Sequence, residues 1–262
     1  MKETYTHGHH DSVLRSHRSR TAANSAAYLL PHLEPGLDLL DIGCGPGTIT
    51  AELAELVRPG RTIGVDREPG VLAEARGRGG SATFQEGDVY RLDFAPGSFD
   101  VVHAHQALQH LADPVAALGE MYRVLRPEGY LAVRDADYGA FLWYPADPRL
   151  ERWREIYTAV CRRNGAEADT GRRLPGWVAA AGFRNIEVSS SNWTYADPGS
   201  REWWSSVWAE RTLESAFGRQ AVEYGLATRN EMEGVAHGWH EWGARPEGLF
   251  IVVHVEVLAR PS

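Results

Sequence analysis

The chain has 262 residues, 43% of them hydrophobic and 24% charged, and a formal net charge of -8. That length supports one elaborated domain whose core needs no staples. The acidic balance excludes bulk electrostatic binding of nucleic acid, which requires a basic footprint. Only two cysteines occur, Cys44 and Cys161, too few for a disulfide framework and wrongly spaced for metal. No apolar run approaches the roughly 20 residues that span a bilayer, and no charged-then-apolar signal opens the chain. A reduced, cytoplasmic protein with no membrane and no nucleic-acid partner is expected.

Near its start the chain reads YTHGHHDSVLRSHRSR, residues 5–20. A purification tag is a longer unbroken His run with a linker. A zinc site needs three or four ligands in closed geometry. His7, His9 and His10 have no cysteine nearby, and Asp11 follows His10 directly, so no metal is expected. The continuation SVLRSHRSRTAANSAAYLL reads as helical, with Val13 and Leu14 apolar on one side. A solvated tail and a lid over a ligand site remain as readings.

The run LDLLDIG (residues 37–43) is short, apolar and stopped by glycine, so it reads as a buried strand. TITAELAELV then places Ile49, Leu53, Leu56 and Val57 on one helical face. RTIGVD, ATFQEGD and FDVVHAH read as the second, third and fourth strands. DPVAALGEMYRVL is a helix, with Asp113 as N-cap and Pro114 at its first position. GYLAVRD is the fifth strand. Such alternation implies a mostly parallel sheet covered on both faces, with ligands bound outside the carboxyl ends of the strands.

Three features sit at those ends. DIGCGPG carries Gly43, Gly45 and Gly47, which let the backbone turn tightly and approach a ligand, just before a helix N-terminus. A dinucleotide fingerprint would need a third glycine at position 48, which is Thr48. Asp66, at the tip of the second strand, is placed to accept both hydroxyls of a ribose. In EGDVY, Asp88 offers an acceptor and Val89 an N–H, a pair that suits an adenine edge, although Gly-Asp is also ordinary turn chemistry.

Together these residues resemble the class I S-adenosylmethionine-dependent methyltransferases. The similarity is dense over residues 37–133, through FDVVHAHQALQHLADPVAALGEMYRVLRPEGYLAV. A weaker echo comes at GRRLPGWVAAAGF, residues 171–183. The small-molecule branch that holds the quinone-ring C-methyltransferases is the most similar. The Arg- and Pro-rich opening of those enzymes is replaced here by the His-rich stretch, which argues against a quinone acceptor. The resemblance implies an α/β fold: a Rossmann-like, doubly wound, mostly parallel seven-stranded sheet in order 3-2-1-4-5-7-6, the last strand antiparallel. An N-terminal helical lid and an aromatic-rich cap insertion would complete it. The chain would then be one methyltransferase domain. Residues 1–34 form the lid, 35–137 the cofactor-binding core, and 138–170 with 196–245 the substrate cap.

By the same resemblance, Gly43, Gly45 and Gly47 approach the methionyl part of S-adenosylmethionine, with Asp41 fixing the loop. Asp66 holds the ribose, Arg67 flanks the adenine, and Asp88 and Val89 read its edge. Ala104, His105 and Gln106 lie beneath the sulfonium, and Arg20 approaches the cofactor carboxylate. S-adenosylhomocysteine is the product. The lid reading then assigns Tyr5, His9 and His10 to the methyl acceptor.

All nine tryptophans lie between Trp143 and Trp242. Tyr138, Trp143, Trp204 and Trp208 read either as plain core or as an apolar cap for a mid-sized small-molecule acceptor. In-line methyl transfer needs a general base only when the nucleophile must lose a proton. His110 and His105 are candidates because histidine titrates near neutrality, and Asp135 follows them. Two other readings remain: a protein of this fold that binds cofactor without methyl transfer, and a nicotinamide-dependent oxidoreductase, against which Thr48 argues.

Overall fold

The computed structural model describes residues 5–8 and 10–261. Its sheet contains β1 (Leu39–Ile42), β2 (Thr62–Asp66), β3 (Ala82–Glu86), β4 (Phe99–His105), β5 (Leu125–Ala136), β6 (Leu142–Tyr144), β7 (Arg184–Tyr195) and β8 (Leu249–Arg260). The hydrogen-bonded order is β3-β2-β1-β4-β5-β8, and β7 pairs with β8. That order is the expected one, with the seventh expected strand now numbered β8. The pairs β1–β2, β2–β3, β1–β4 and β4–β5 are parallel. The additional strand is β6, which runs antiparallel to β8 from Leu142↔Ile251 to Tyr144↔Leu249. Three residues are too short a run to show strand periodicity.

The chain divides into two compact units. The first comprises Met1–Ser16, Ala136–Asp169 and Asn192–Val253; the second comprises His17–Asp135, Thr170–Ser191 and His254–Ser262.

In the second unit, all four residues of β1 are buried, as a central parallel strand requires. Alternate side chains feed two cores. Leu40, Val102 and Leu131 meet Leu118 and Met121 of α5 (Pro114–Val124) and Leu174 and Val178 of α7 (Leu174–Ala180). Leu39, Val101 and Ala132 meet Leu53 and Val57 of α3 (Thr48–Val57). Leu56 departs from expectation at 46% exposure. The buried arc of α3 runs through Ile49, Thr50, Leu53, Ala54 and Val57, and at about 100° per residue Leu56 falls just outside it. Between β2 and β3 lies α4 (Pro69–Gly77).

The N-terminal helix is interrupted. It forms α1 (Asp11–Arg18) and α2 (Ala22–Ser25). Thr21 adopts φ -128°, its side chain accepts the Asn24 N–H, and Asn24 reciprocates. That reciprocal cap starts a new helix and stops the old one.

The first unit is helical, with α6 (Pro148–Arg163), α8 (Pro198–Glu214), α9 (Ala216–Glu223) and α10 (Arg229–Gly243). Asp147, Asp197 and Thr228 cap the N-termini of α6, α8 and α10. Its core is aromatic: Trp153, Tyr157, Trp208, Trp239, Trp242 and Phe250 are all buried. The early residues are part of it. Thr6 and His7 are buried, and His7 Nε2 lies 2.9 Å from the Tyr157 hydroxyl, so this stretch is no solvated tail. Among the described residues, no helix is long and apolar enough to cross a membrane.

Trp153 sits edge-on to Trp208 at 4.5 Å and to Trp239 at 4.9 Å. Trp153→Ala is expected to lower unfolding free energy by about 3–5 kcal/mol, read by urea denaturation. A loss under about 1 kcal/mol would mean that the aromatic core is not what holds this unit.

Candidate active site

The loop after β1 is tied back to β2. The Gly43 and Cys44 N–H groups both donate to the Val65 carbonyl, at 2.8 and 3.1 Å. Gly47 stands at φ +75°, where α3 begins without a side-chain cap. A Cβ there would lie 2.8 Å from the Phe84 ring. Gly45 differs. Its φ is +53°, and only His17 Nδ1, at 3.9 Å, stands within 4 Å of where its Cβ would be. The loop is therefore packed against protein at Gly47 and bare at Gly45, where a ligand can meet backbone.

Asp66 Oδ2 accepts the Gly45 N–H at 3.0 Å, and its Oδ1 accepts the Glu68 N–H at 3.0 Å. A carboxylate offers about four lone-pair sites, so capacity remains for a diol. Asp88 is exposed, with Oδ1 accepting the Tyr90 N–H at 3.0 Å; Val89 is half-buried, and Arg67 is exposed. Asp41 is turned inward, where it accepts the Thr50 hydroxyl and lies 2.7 Å from His103 Nδ1.

At the end of β4, Ala104 and His105 are buried. Gln106 adopts φ +50°, a conformation that costs a non-glycine residue on the order of 1–3 kcal/mol unless neighbours hold it. They do. Its N–H donates to the Arg134 carbonyl at 2.7 Å, its Oε1 accepts from Arg20, and its Nε2 lies 2.7 Å from His254 Nε2.

The titrating groups behave differently from expectation. Burial, reinforced by Arg20 and Arg134, holds the His105 imidazole well below its usual range. Burial, then Arg20 and Arg67, lowers His110 to about 3. Neither histidine titrates near neutrality. Asp135 moves the other way. Burial raises it to about 8, against N–H groups of Gln109 and Leu108 that favour the carboxylate. Its Oδ1 accepts the Gln109 N–H at 3.4 Å, and its Oδ2 is enclosed without a partner.

Several polar residues near this end were not expected. Arg134, fully buried, pairs with Glu256 at 3.1 Å and donates to Ser191 at 3.0 Å. Ser189 donates to Glu256 at 2.8 Å, and His254 holds Gln106. The signal was His254 and Glu256 breaking an apolar run two residues apart, on one face of a strand.

The residues expected around an acceptor lie in the first unit. Tyr138 stacks on Tyr157 at 4.2 Å, Trp204 on Tyr195 at 4.4 Å, and Trp143 on Phe250 at 5.7 Å. Trp208 is buried. Tyr5 meets His7 edge-on at 6.0 Å, and His10 Nδ1 lies 3.0 Å from the Ser12 hydroxyl. His9 lies outside the described residues. Among the described residues, no group of three His, Cys, Asp or Glu side chains is gathered to hold a metal.

The methyltransferase domain family matches residues 40–133. An uncharacterized methyltransferase of Schizosaccharomyces pombe is 30% identical over 97% of this chain and 95% of its own length. The chain belongs to the class I S-adenosylmethionine-dependent methyltransferases. A trans-aconitate 2-methyltransferase of Methylobacterium nodulans is 31% identical over 71% of this chain and 72% of its own. Among solved structures, a Haemonchus contortus phosphoethanolamine N-methyltransferase, in complex with S-adenosylhomocysteine, shares the fold. It has a TM-score of 0.54 and 20% identity, over 88% of this chain and 50% of that one. S-adenosylmethionine is the family's cofactor, and this methyltransferase's residues fit it. The bare Gly45 backbone, the spare acceptor sites of Asp66 and the exposed Asp88 present complementary groups at adjacent strand ends.

Asp66→Ala is expected to weaken S-adenosylhomocysteine binding by about 1–3 kcal/mol, and Gly45→Val at least as much, both read by calorimetry. Unchanged affinity in either folded variant would remove the cofactor from this loop. Asp135 also leaves a mark on stability. It keeps its proton to about pH 8 in the folded chain, whereas an unfolded aspartate loses it near pH ~4. Its contribution is therefore full below that lower value and lost as pH rises through the upper one. Wild type is expected to lose unfolding free energy relative to Asp135→Asn across that window. A flat difference would place Asp135 in contact with water.

Proposed function

We propose that this methyltransferase moves a methyl group to an O, N or C atom of a mid-sized, largely apolar or aromatic small molecule, with Asp135 as proton acceptor. The observation that carries this reading is the Asp135 carboxyl at the end of β5, with one oxygen held by backbone and the other enclosed and unpartnered. A buried acid whose pKa lies near the working pH suits proton transfer.

When bound, S-adenosylmethionine supplies an electrophilic methyl carbon on its sulfonium. Asp66 accepts from the ribose hydroxyls, Asp88 and the Val89 N–H meet the adenine edge, and Arg67 flanks it. Gly43, Gly45 and Gly47 admit the methionyl part, and Arg20 faces its carboxylate. Ala104, His105 and Gln106 floor the site. His105 and His110 stay neutral there, since burial disfavours their charged forms. In its ionised form Asp135 takes the acceptor's proton at Oδ2. Positioning of the two reactants contributes the larger share of rate, up to roughly 7–11 kcal/mol in favourable cases.

The test is transfer of a labelled methyl group to a small-molecule panel, read by product mass. Turnover at limiting substrate is expected to rise with pH and level off above about 8, as Asp135 loses its proton. Asp135→Asn should lower kcat about 10²-fold or more, and His110→Ala less. S-adenosylhomocysteine binding with no label transferred to any acceptor would leave a cofactor-binding protein without transfer. A pH profile unchanged in Asp135→Asn would remove Asp135 as the base.

A further inference from the structure

Two buried oxygens at one corner of the second unit meet no donor. One is Asp135 Oδ2, which the reading above gives to proton transfer. The other is Gln109 Oε1, on a residue that is 4% exposed. Gln109 lies in the single turn Leu108–His110 that follows β4. Its own N–H donates to Asp135 Oδ1 at 3.4 Å, so the two side chains belong to the same corner.

The Gln109 amide is held from behind. Its Nε2 donates to the Gln106 carbonyl at 3.4 Å and lies 3.1 Å from His110 Nε2. Turning the amide over would set Oε1 against that carbonyl, two acceptors face to face. Burial, then Arg20 and Arg67, keeps the His110 imidazole neutral. Its Nε2 therefore accepts from Gln109, and its proton sits on Nδ1. With Nε2 occupied at Gln106 and His110, Oε1 is the atom that Gln109 turns to the corner.

The unmet need is of one kind. Ionised Asp135 Oδ2 and Gln109 Oε1 both call for hydrogens, and a buried acceptor without a donor forfeits the hydrogen bond it had in water. The charges nearby narrow what can supply them. Arg134 and Arg20 act on Asp135, and Arg20 and Arg67 act on His110. A cation brought here would be repelled by those guanidiniums, and a protonated amine has no lone pair to give. Neutral O–H and N–H groups meet both oxygens without that repulsion. Gln106 and His110, which Nε2 contacts, are half-buried, so the corner lies one side chain from solvent.

We propose that Gln109 is a specificity-determining residue, which reads a second polar hydrogen on a neutral methyl acceptor. One hydrogen, on the nucleophilic atom, goes to Asp135 Oδ2. The other, on a neighbouring hydroxyl or N–H group, is accepted by Gln109 Oε1 and stays on the product. The acceptor class is then a neutral hydroxy compound with a second O–H or N–H beside its nucleophile. This rests on Asp135 being the proton acceptor.

The experiment titrates the full chain, saturated with S-adenosylhomocysteine, with 1,2-dihydroxybenzene, 2-aminophenol and 1,2-cyclohexanediol. Each is set beside the ether or dialkylamine that lacks the second donor. At least one compound is expected to bind about tenfold or more tighter than its partner, because a site built to hydrogen-bond a group rejects the analogue without it. Gln109→Met, of similar length but without the oxygen, should bring that ratio to about one and leave S-adenosylhomocysteine affinity unchanged. The pH midpoint of turnover should also stay, since the bond from Gln109 to Asp135 is made by backbone. If that variant does not fold, Gln109→Asn, which withdraws the amide by one methylene, should show a reduced ratio. A ratio retained in folded Gln109→Met overturns the proposal. So does a wild type without any preference, which would leave the two oxygens to water. A shifted pH midpoint with the ratio intact would make Gln109 a support for Asp135 alone, and also overturns it. An unchanged pH profile in Asp135→Asn defeats the base reading instead, and the binding ratio, read without turnover, still decides Gln109.

Discussion

A buried carboxylate in the middle of the sheet sets the geometry on which the rest of the site depends. Asp41 lies in β1 at 3% exposure. One of its oxygens takes the Thr50 hydroxyl from α3, and the other meets His103 of β4. The glycine loop is the chain between Asp41 and Thr50, so both its ends are fastened from behind. Gly45 is then fastened from the front by Asp66. With strand, helix and neighbouring strand all tied to one residue, the loop has little freedom to relax. A backbone that must meet a ligand without reorganising benefits from that stiffness.

Charge is treated in two ways in this chain. In the second unit, the buried Arg134 has Glu256 and Ser191 around it, and Ser189 supports Glu256 in turn. Such a network satisfies its own members and fixes the strands that carry them. In the first unit, the buried Arg211 of α8 has the Ser12 and Val13 carbonyls, the Ser16 hydroxyl and the Trp208 ring around it, and among the described residues no opposite charge. Cores retain unbalanced charge at a cost in stability. Arg134 meets its counter-charge across the sheet, whereas Arg211 ties α8 to α1 through neutral acceptors.

The loop and strand ends proposed to face the nucleotide were legible as local structure because their determinants are local. DIGCGPG, VD and EGD each combine a strand end with a turn residue within a few positions, so chain order alone places them. The alternation of strands and helices announced a mostly parallel sheet, whereas its strand order came with the family resemblance. The Arg134–Glu256 pair joins residues far apart in sequence, and no local pattern announces it. Gln106 was named for its place at a strand end, but its left-handed backbone depends on Arg20, Arg134 and His254 together. Thr21 was misread because its capping competes with a helical pattern that runs through it. Leu56 was misread because an apolar residue at the margin of a helical face is buried or exposed according to its neighbours.

The histidines show why residue type is a weak guide to protonation state. A free imidazole titrates near neutrality and a free carboxyl well below it, which favours His110 over Asp135 on composition alone. Burial penalises whichever form is charged. It therefore drives His105 and His110 down and Asp135 up, by one and the same cause. The nearby guanidiniums add to the effect on the imidazoles and oppose it on the carboxyl. The two kinds of group thus exchange places on the pH scale. At neutral pH the imidazoles are neutral and weakly basic, and the carboxyl is the group poised between its two states. The choice of base turns on desolvation, which belongs to the folded chain and is invisible in any stretch of its sequence.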